Sequence, residues 1–412
     1  MLREDAKVIY ERAIFDNLPD TAVKNALKSL PSYNGRLILV AIGKAGYQMA
    51  KCAANELGSR LTQGIVITKY EHVMGQIDRV ECCEAAHPVP DENTLLATKK
   101  ALEITSNLSK DDLVLFLVSG GGSALFEQVD ITLDELKEIT SSLLACGASI
   151  EEINTIRKRL SNVKAGRFAA HCAPAKVYAV LLSDVLGNNP STIASGPACA
   201  DGSSVEDALA ILDKYGIKPN EKALELIKRE TPKELTNAQY VITGSASELC
   251  NSAQKTATEL GYDSIIVDDK ITSYAKDLGA RLGTMAQENK DTKTKKAFIF
   301  GGETVVKLTG NGKGGRNQEI ALCASDYIRD IPNALVFSVG SDGTDGPTDA
   351  AGGLCDHTTA KNIEKSGKSV KEYLNNNDSY TALALANDLI ITGPTGTNVN
   401  DLTVLLIDAV QK

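Results

Sequence analysis

The sequence contains no hydrophobic run long enough to cross a membrane. Spanning a bilayer takes about 20 apolar residues, whereas an apolar run such as residues 113–118 is far shorter. The charged start MLREDAK also lacks the apolar core of a secretory signal. These absences exclude a membrane-spanning protein and predict a cytoplasmic one with no membrane partner.

Cysteine pairs and histidine clusters of metal-binding spacing are absent as well. The nine cysteines form no C-x-x-C pair, and no two of the four histidines have the spacing of metal ligands on one helix. An odd number of cysteines in a chain of this length indicates reduced, mostly buried thiols. The pattern excludes a zinc site and a disulfide framework.

Positive charge is also scarce. The chain has 44 basic and 53 acidic residues, a formal net charge of -9, and no dense stripe of lysine and arginine. This balance argues against nucleic acid as a partner, because binding to phosphate backbones needs a basic surface. Small molecules are the expected partners. The sequence does not fix the oligomeric state, for which a homodimer is one candidate.

The common nucleotide-binding and hydrolase motifs are missing. The one G-K-S sequence, at residues 367–369, has Asn362 where a P-loop requires its first glycine, and it does not follow an apolar strand. The protein-kinase signature set and the G-x-S-x-G nucleophile elbow are absent too. Any phosphate site must therefore use other loops.

Short apolar runs alternate with longer segments of helical period from residue 36 onward, which is typical of βαβ units. Capping boxes at Thr132/Glu135 and Ser149/Glu152 predict two helix starts. The expected class is α/β, with a Rossmann-like, largely parallel sheet covered by helices on both faces and a second α/β domain. The predicted strands are residues 36–42, 64–68, 79–84, 112–118 and 176–183 in a first series, then 239–243, 264–267, 297–300, 304–308, 334–339 and 403–407 in a second.

Two domains are expected, because 412 residues exceed the size at which one hydrophobic core usually stops growing. A polar stretch rich in lysine and glutamate, residues 217–237, separates the two series of strands. We predict domains at residues 1–235 and 236–412, with a cleft between them.

Ligands bind at the carboxyl ends of the strands in an open α/β sheet, so the residues after each predicted strand are the candidates. In AIGKAGYQMA, Lys44 lies between Gly43 and Gly46 at the start of a helix. The lysine charge and the free helix amides both favour an anion such as phosphate. A surface lysine in a tight turn is the alternative.

The stretch LVSGGGSALF places bare backbone at the end of a strand. Glycines adopt positive φ and allow close approach, so consecutive N–H groups can form an anion cradle with the serine hydroxyls as further donors. The predicted occupant is a phosphate or the carboxylate of a small acid, although a tight turn would also use one or two glycines. The residues concerned are Ser119, Gly120, Gly121, Gly122 and Ser123.

The loop LLSDVLGNNPSTIASGP leaves the strand predicted at residues 176–183 through Asp184. A carboxylate there could hold magnesium, accept a hydroxyl proton or cap a turn. The uncharged polar groups of the same loop suit a hydroxy acid; they are Asn188, Asn189, Ser191 and Ser195.

In GGETVVKLTGNGKGGRNQE, Glu303 follows a strand and Arg316 and Asn317 open a helix. The arginine fork can bind phosphate or carboxylate with two N–H groups and can offset charge in a transition state. A flexible hairpin tip would explain the glycines at residues 310–315 but not the R-N-Q-E sequence that ends the turn.

The acidic loop SVGSDGTDGPTDAAGG contains Asp342 and Asp345 among glycines. Its spacing resembles part of a calcium loop, but Gly353 occupies the twelfth position, where glutamate is required. A magnesium-nucleotide site or plain turn chemistry fits better. A last loop, TGPTGTNVND at residues 392–401, could complete a polar pocket or simply form turns.

His87, in AAHPVPDENT, stands at an apparent strand end before a rigid turn with two prolines. We interpret it as a structural or substrate-orienting residue in preference to a catalytic base.

Three functional classes are compatible with these loops. A phosphoryl-transfer enzyme needs cationic groups, an amide cradle and carboxylates, and the loops supply all three. A nicotinamide-dependent reductase is the rival, because Gly43, Gly46 and Ala50 follow the first strand and Glu71 lies near the end of the second. The spacing there is G-x-x-G-x-x-x-A, however, and not G-x-G-x-x-G. A non-enzymatic sensor of a sugar phosphate or hydroxy acid is the third class.

Seven stretches between Gly43 and Gly353 also carry a family resemblance. Together they resemble the type II glycerate 2-kinases, whose carboxyl-terminal half is often called the MOFRL domain. The stretches are GKAGYQMA, HPVPDENT, VSGGGSALF, INTIRKRLSNVKAGRFA, LLSDVLGNNPSTIASGP, GGETVVKLTGNGKGGRNQE and SVGSDGTDGPTDAAGG.

The resemblance implies transfer of the γ-phosphoryl group of ATP, with Mg²⁺, to the C2 hydroxyl of D-glycerate, giving 2-phosphoglycerate and ADP. It implies a MOFRL-type second domain and an active site in the interdomain cleft. The family ties catalysis to the lysine of GKA and the arginine of GGRNQE, here Lys44 and Arg316. An NAD(P)H-dependent hydroxypyruvate reductase is the alternative, since older labels in the family use that name.

Combining the loops with the resemblance gives each residue an expected role. Lys44 and Arg316 neutralise the transferring phosphoryl group, and Asp184 positions or deprotonates the glycerate hydroxyl. The S-G-G-G-S loop, with Asn188 and Asn317, binds substrate or phosphate. The candidates for contacts to magnesium or nucleotide are Glu303, Asp342 and Asp345.

Overall fold

The computed structural model describes residues 2–183 and 189–410. The chain divides into two compact units. The first unit is Ala22–Thr243, and the second unit combines Met1–Thr21 with Gly244–Lys412. The domain limits predicted from the sequence were 1–235 and 236–412, and they remain a prediction. In the described part of the chain, no helix has both the length and the hydropathy of a membrane span.

Helix α1 (Leu2–Asp16) belongs to the second unit, and α2 (Pro19–Leu27) follows it. The strands of the first unit are β1 (Leu37–Ile42), β2 (Gln63–Lys69), β3 (Val80–Ala85), β4 (Leu113–Val118), β5 (Lys176–Leu181) and β6 (Ala238–Ile242). Its further helices are α3 (Gly46–Leu57), α4 (Glu92–Ile104), α5 (Gly122–Leu125), α6 (Leu133–Ala145), α7 (Ile150–Leu160), α8 (Arg167–His171), α9 (Val205–Tyr215) and α10 (Glu221–Ile227).

The first sheet has the strand order β3-β2-β1-β4-β5-β6, and all its pairings are parallel. The predicted parallel sheet is therefore confirmed. The strand expected at residues 239–243 belongs to this sheet as β6, not to the second series, because it pairs with β5. The chain winds outward on one side from β1 and on the other from β4, so these two neighbours form the topological switch point of the sheet.

The central strands β1 and β4 are buried along their whole length, as expected for continuous runs of Ile, Leu and Val in a sheet covered on both faces. Phe116 of β4 packs against Phe168 and Phe126 with ring centroids 4.7 and 5.8 Å apart. The two predicted capping boxes are present and start α6 and α7. This packing fixes the loops that follow β1 and β4.

The second unit contains six further strands and helices of its own among the described residues. Its strands are β7 (Asp263–Ile271), β8 (Lys296–Gly302), β9 (Ala334–Gly340), β10 (Gly352–Asp356), β11 (Leu389–Ile390) and β12 (Asp401–Ile407). Its helices after α1 are α11 (Ala246–Glu259), α12 (Ala275–Asn289), α13 (Arg316–Tyr327), α14 (Thr359–Glu364), α15 (Val370–Asn375) and α16 (Ser379–Ala386).

The second sheet is mixed, with the order β11-β10-β9-β12-β8-β7. Only β7 and β8 pair in parallel; β12 runs antiparallel to both β8 and β9. As a result, the carboxyl ends of β8 and β9 flank the first residue of β12, and Asp401 pairs with Gly302 and Gly340. This register positions the second group of candidate residues.

The second sheet differs from the sequence prediction in three places, one of which is the short strand β11, which was not predicted. Residues 304–308 form no strand: Val305 makes one isolated bridge, and Leu308 is 80% exposed, because the chain leaves the sheet at Gly302 with a φ of +142°. The prediction missed β10, which begins with Gly352 and Gly353. A side chain at Gly352 would overlap the carbonyl of Ser338, so the close approach of the strands excludes larger residues there. The strand therefore begins without the β-branched residues by which a sequence pattern identifies a strand.

Candidate active site

The loops after β1 and β4 are joined at the switch point of the first sheet. The backbone N–H of Lys44 donates to the carbonyl oxygen of Gly120 over 2.9 Å. The N–H of Ala45 donates to the Ser119 hydroxyl over 3.0 Å. Gly43 has a φ of +106°, and a side chain there would overlap Ser119, so the approach of the two loops requires glycine.

The S-G-G-G-S loop presents backbone donors. Within the described residues, no acceptor faces the N–H groups of Gly120, Gly121 or Ser123. Gly121 is left-handed, with a φ of +85°. Successive N–H groups around such a residue point toward one side and form an anion-binding concavity. The loop therefore has the shape that an anion cradle requires, and the binding of an anion there stays a prediction.

Lys44 and His87 lie beside the same loop. A Cβ atom at Gly121 would lie 3.0 Å from the His87 ring and 3.2 Å from Cγ of Lys44. Lys44 is exposed. Partial burial lowers the pKa of His87, and the positive charges of Lys44 and Lys69 lower it further. The imidazole is therefore neutral at pH 7, and Lys44 supplies the charge beside the cradle.

Ser123 connects the cradle to a second strained segment. Its hydroxyl lies 3.0 Å from that of Ser195, which is fully buried. Ala194 and Ser195 are both left-handed, with φ values of 51° and 61°. Non-glycine residues adopt this conformation at a cost in free energy, and such strain concentrates at functional sites. A guanidinium N–H of Arg157 donates to the carbonyl oxygen of Ser123 over 3.3 Å.

Two predicted residues, Asp184 and Asn188, lie outside the described residues. Asn189 and Ser191 of the same loop form a hydrogen bond, in which the Ser191 hydroxyl donates to the side-chain oxygen of Asn189 over 2.9 Å. Of the described polar groups named in this loop, Ser195 contacts the cradle through its hydroxyl.

The second group of candidate residues surrounds Asp401 at the start of β12. Nε of Arg316 donates to one Asp401 oxygen over 2.5 Å, and Nη2 donates to the other over 3.0 Å. Nη1 donates to Glu303 over 2.7 Å. Two of the five N–H groups of this guanidinium have no partner in the described chain.

The ion pair is largely shielded from water. Asp401 is 5% exposed, and the side chain of Arg316 is 33% exposed. Burial raises the pKa of Asp401, and the bond from Arg316 opposes that rise. Burial lowers the pKa of Arg316, but the hydrogen bond to Asp401 and the negative charges of Asp401, Glu303 and Asp345 together outweigh it and leave the pKa above its usual value. The guanidinium is therefore charged at pH 7.

Asp345 caps helix α13. Its two carboxylate oxygens accept from the backbone N–H groups of Asn317 and Gln318 over 3.2 and 2.9 Å, and it is 3% exposed. A side chain at Gly315 would overlap this carboxylate, which explains the glycine before Arg316. The hydroxyl of Ser338 donates to the Asn317 side-chain oxygen over 2.5 Å. Asp345 and Asn317 therefore fix the direction of the helix that carries Arg316.

Asp342 forms its own turn after β9. One of its carboxylate oxygens accepts from the N–H and the hydroxyl of Thr344 over 2.9 and 3.1 Å. Among the described residues, no three His, Cys, Asp or Glu side chains form a group that could hold a metal ion. The structure shows no preformed metal cage in that part of the chain.

The chain is similar to known proteins over nearly its whole length. Two family models match: one described as a domain of unknown function (DUF4147) over residues 5–229, and one described as the MOFRL family over residues 296–401. The D-glycerate 2-kinase of Thermotoga maritima is 49% identical over 98% of this chain and 98% of its own length. A crystal structure of a glycerate kinase from that organism has a TM-score of 0.95 at 49% identity and covers 98% of this chain and 99% of its own.

The chain belongs to the glycerate kinase family. The resemblance inferred from the seven motifs and the two-sheet α/β fold class are both confirmed. A putative hydroxypyruvate reductase of Agrobacterium vitis is also similar, at 35% identity over 98% of this chain and 94% of its own length.

In this glycerate kinase family member, the described site residues lie in two groups, each within one of the two compact units. The first comprises Lys44 and the loop from Ser119 to Ser123. The second comprises Glu303, Arg316, Asn317 and Asp345, with Asp342 in the loop after β9. The functional roles given to these residues remain predictions.

Sequence reasoning missed Asp401 and Arg157. Asp401 stood at the end of the loop TGPTGTNVND, and its position before an apolar run was the available signal: an acidic residue at a strand start marks the ligand edge when the strand is antiparallel to its neighbours. Arg157 lay within a helix, where no loop pattern identifies it.

Proposed function

We propose that the chain transfers the γ-phosphoryl group of ATP to the C2 hydroxyl of D-glycerate, giving 2-phosphoglycerate and ADP. The carrying observation is the set of N–H groups of Gly120, Gly121 and Ser123 beside Lys44, which have no acceptor among the described residues. Membership of the glycerate kinase family supports this reaction, because the similar protein of Thermotoga maritima is a D-glycerate 2-kinase. Phosphoryl transfer depends on positioning and on stabilising charge on oxygen, and these groups supply both.

Lys44 and the cradle act together in this proposal. The amides hold an anionic oxygen in a fixed place, and the ammonium group adds a full positive charge beside it. Because the groups are already in position before the reaction, stabilising the developing charge costs no reorganisation. The neutral His87 ring borders the cradle without adding a second charge.

Arg316 supplies the second cation. Asp401 and Glu303 hold its guanidinium through three N–H groups. The other two have no partner among the described residues and can donate to phosphate oxygens. The clamp restricts the side chain, so little conformational entropy is lost when it binds. We propose that Arg316 binds the phosphoryl group during transfer.

We propose that Mg²⁺ reaches the protein with ATP. Magnesium in kinases is usually held by substrate phosphates and one or two carboxylates. Glu303 and Asp342 fit such a role, because each has one carboxylate oxygen that accepts no hydrogen bond from the described residues. Asp345 fits less well, since both of its oxygens cap α13. The ion would neutralise charge on the phosphates of the nucleotide.

Asp184 keeps its proposed role of positioning or deprotonating the C2 hydroxyl. Asn188 keeps its proposed role in binding substrate. Replacing Asp184 with Asn tests the first: the kcat should fall with the KM for ATP unchanged, whereas an unchanged kcat would remove Asp184 from the mechanism. The cytoplasmic location and the homodimer also stay predictions, and light scattering of the purified chain tests the latter.

A hydroxypyruvate reductase is the second candidate. The order β3-β2-β1-β4-β5-β6 is that of dinucleotide-binding folds, and Glu71 lies shortly after β2. The spacing of Gly43, Gly46 and Ala50 does not match the dinucleotide fingerprint, however. A lysine also stands in the loop where backbone amides alone would bind the pyrophosphate. These departures favour the kinase.

One assay separates the candidates. The chain is incubated with ATP, Mg²⁺ and D-glycerate, and the product is detected through enolase alone and then with phosphoglycerate mutase added. A parallel reaction contains hydroxypyruvate and NADH. Signal through enolase alone supports transfer to C2. Signal only with the mutase would move transfer to C3, and NADH oxidation without phosphoryl transfer would replace the kinase by the reductase.

A further inference from the structure

Helix α7, the loop after it and the first residue of α8 carry five basic residues between positions 157 and 167, and four of them are held by the protein itself. Their partners lie at short distances: Lys158 to Asp201 at 3.2 Å, Arg159 to Glu230 at 2.9 Å, Lys164 to Glu127 at 2.6 Å, and Arg167 to the carbonyl oxygens of Lys158 and Ser161 at 2.6 and 2.8 Å. These contacts are structural.

Arg157 is the exception. Among the described residues, its guanidinium makes one long hydrogen bond, 3.3 Å to the carbonyl oxygen of Ser123, and has no carboxylate partner. The side chain is half-buried. An arginine withdrawn from water without a counter-ion is unfavourable, so an external anion would complete its coordination.

The loop facing Arg157 offers matching donors. The N–H of Ser123 is unpaired among the described residues, and the hydroxyls of Ser123 and Ser195 form a pair. The salt bridges of Lys158 and Arg159 fix the end of α7, so the position of the Arg157 guanidinium is set by a rigid element. The hydrogen bond from Arg157 to the carbonyl oxygen of Ser123 places the guanidinium beside this loop.

We propose that Arg157 binds the carboxylate of the small hydroxy acid that the enzyme phosphorylates. The inference rests on the proposed function, in which this acid is D-glycerate. The substrate carries one carboxylate, and a planar guanidinium binds its two oxygens with parallel hydrogen bonds that a lysine cannot reproduce. Lys44 lies on the Gly121 side of the cradle and remains available for the phosphoryl group.

The test uses the full chain with Arg157→Met and Arg157→Lys, and Arg60→Met as the control on an exposed surface. Binding of D-glycerate and of ATP is measured separately by calorimetry. Loss of a charged hydrogen-bond pair predicts that Arg157→Met weakens D-glycerate binding about 10- to 100-fold, with ATP binding unchanged. Arg157→Lys should recover only part of the loss, because it restores the charge and not the fork.

Steady-state kinetics with glycerol provide a second readout, since glycerol has the hydroxyls but no carboxylate. The preference of the enzyme for D-glycerate over glycerol should shrink in Arg157→Met by the same factor as the binding loss. Wild-type affinity for D-glycerate in Arg157→Met, or weakened binding of ATP instead, would overturn the proposal. If the unchanged chain neither binds nor phosphorylates D-glycerate, the proposed function itself fails, and the Arg157 assignment falls with it.

Discussion

The backbone N–H of Lys44 donates to the carbonyl oxygen of Gly120 over 2.9 Å. This bond ties the lysine loop after β1 to the glycine loop after β4, at the point where the strand order of the first sheet reverses. The carbonyl of Gly120 is thereby paired, while the N–H groups of Gly120, Gly121 and Ser123 have no partner among the described residues. The lysine and the amide cradle therefore form one rigid unit.

Gly121→Ala tests the close packing of that unit. The new methyl group would contact the His87 ring and Lys44 at 3.0 and 3.2 Å in a left-handed residue. We expect the turnover rate to fall about 10- to 100-fold, because moving a positioning group by up to about 1 Å reduces rates by this much. Gly147→Ala is the matched control, because Gly147 has a φ of +74° with nothing within 4 Å.

Both glycine variants should lose about 1–2 kcal/mol of stability from left-handed strain, measured by urea unfolding. Only Gly121→Ala should lose activity. Equal activity in the two variants would show that the cradle tolerates a side chain and has no close contact with the reacting groups.

Asp401→Asn tests the clamp on Arg316. An amide cannot balance the guanidinium charge, so we expect the kcat to fall and the free energy of unfolding to drop by about 1–3 kcal/mol. Glu303→Gln should lower stability by less than about 1 kcal/mol, because Glu303 is 47% exposed and water screens the pair. Thermal unfolding and initial rates measure both. An Asp401→Asn variant with unchanged rate would remove the clamp from the mechanism.

His87 provides a prediction about pH. Its pKa is lowered in the folded protein by burial and by Lys44, so the unfolded chain binds the proton more tightly. The free energy of unfolding therefore increases as the pH rises from the pKa of the folded protein to about 6.5, the ordinary pKa of histidine. It decreases as the pH falls through the same range. An NMR titration of the ring should give a midpoint below about 6.5, and Lys44→Met should raise that midpoint. A midpoint unchanged by Lys44→Met would contradict the contact between the two side chains.

The fully buried pair of Lys164 and Glu127 predicts a strong coupling in stability. Both side chains are inaccessible, and their charged atoms lie 2.6 Å apart. Glu127→Gln leaves the ammonium without a counter-charge and should cost about 3–5 kcal/mol. The double variant with Lys164→Met should recover part of that cost, because neither charge is then buried. Additive losses in the double-mutant cycle would rule out direct coupling.

The sequence predicts those features of the site that depend on local pattern. Lys44 and the loop from Ser119 to Ser123 follow strands that are marked by continuous apolar runs, and parallel strands bring their carboxyl ends to one edge. The capping boxes of α6 and α7 are equally local. Each signal lies within a few residues of the feature that it predicts.

The contacts that the sequence does not predict connect distant segments. Arg316 and Asp401 are 85 positions apart, and they meet because β12 runs antiparallel between β8 and β9. Arg157 reaches Ser123 across 34 positions from the interior of a helix. The direction of β12 and the docking of α7 are decided by tertiary packing, which no short pattern records.

The central claim is phosphoryl transfer to the C2 hydroxyl with Lys44 as an essential cation. Proton-coupled phosphorus NMR of a reaction with ATP, Mg²⁺ and D-glycerate tests it directly. A phosphate ester at C2 adjoins one proton and gives a doublet, whereas an ester at C3 adjoins two and gives a triplet. We predict a new doublet that the Lys44→Met variant does not produce and that the control Lys99→Met, on an exposed face of α4, does produce. A triplet, no ester, or a doublet of undiminished rate from Lys44→Met would contradict the account.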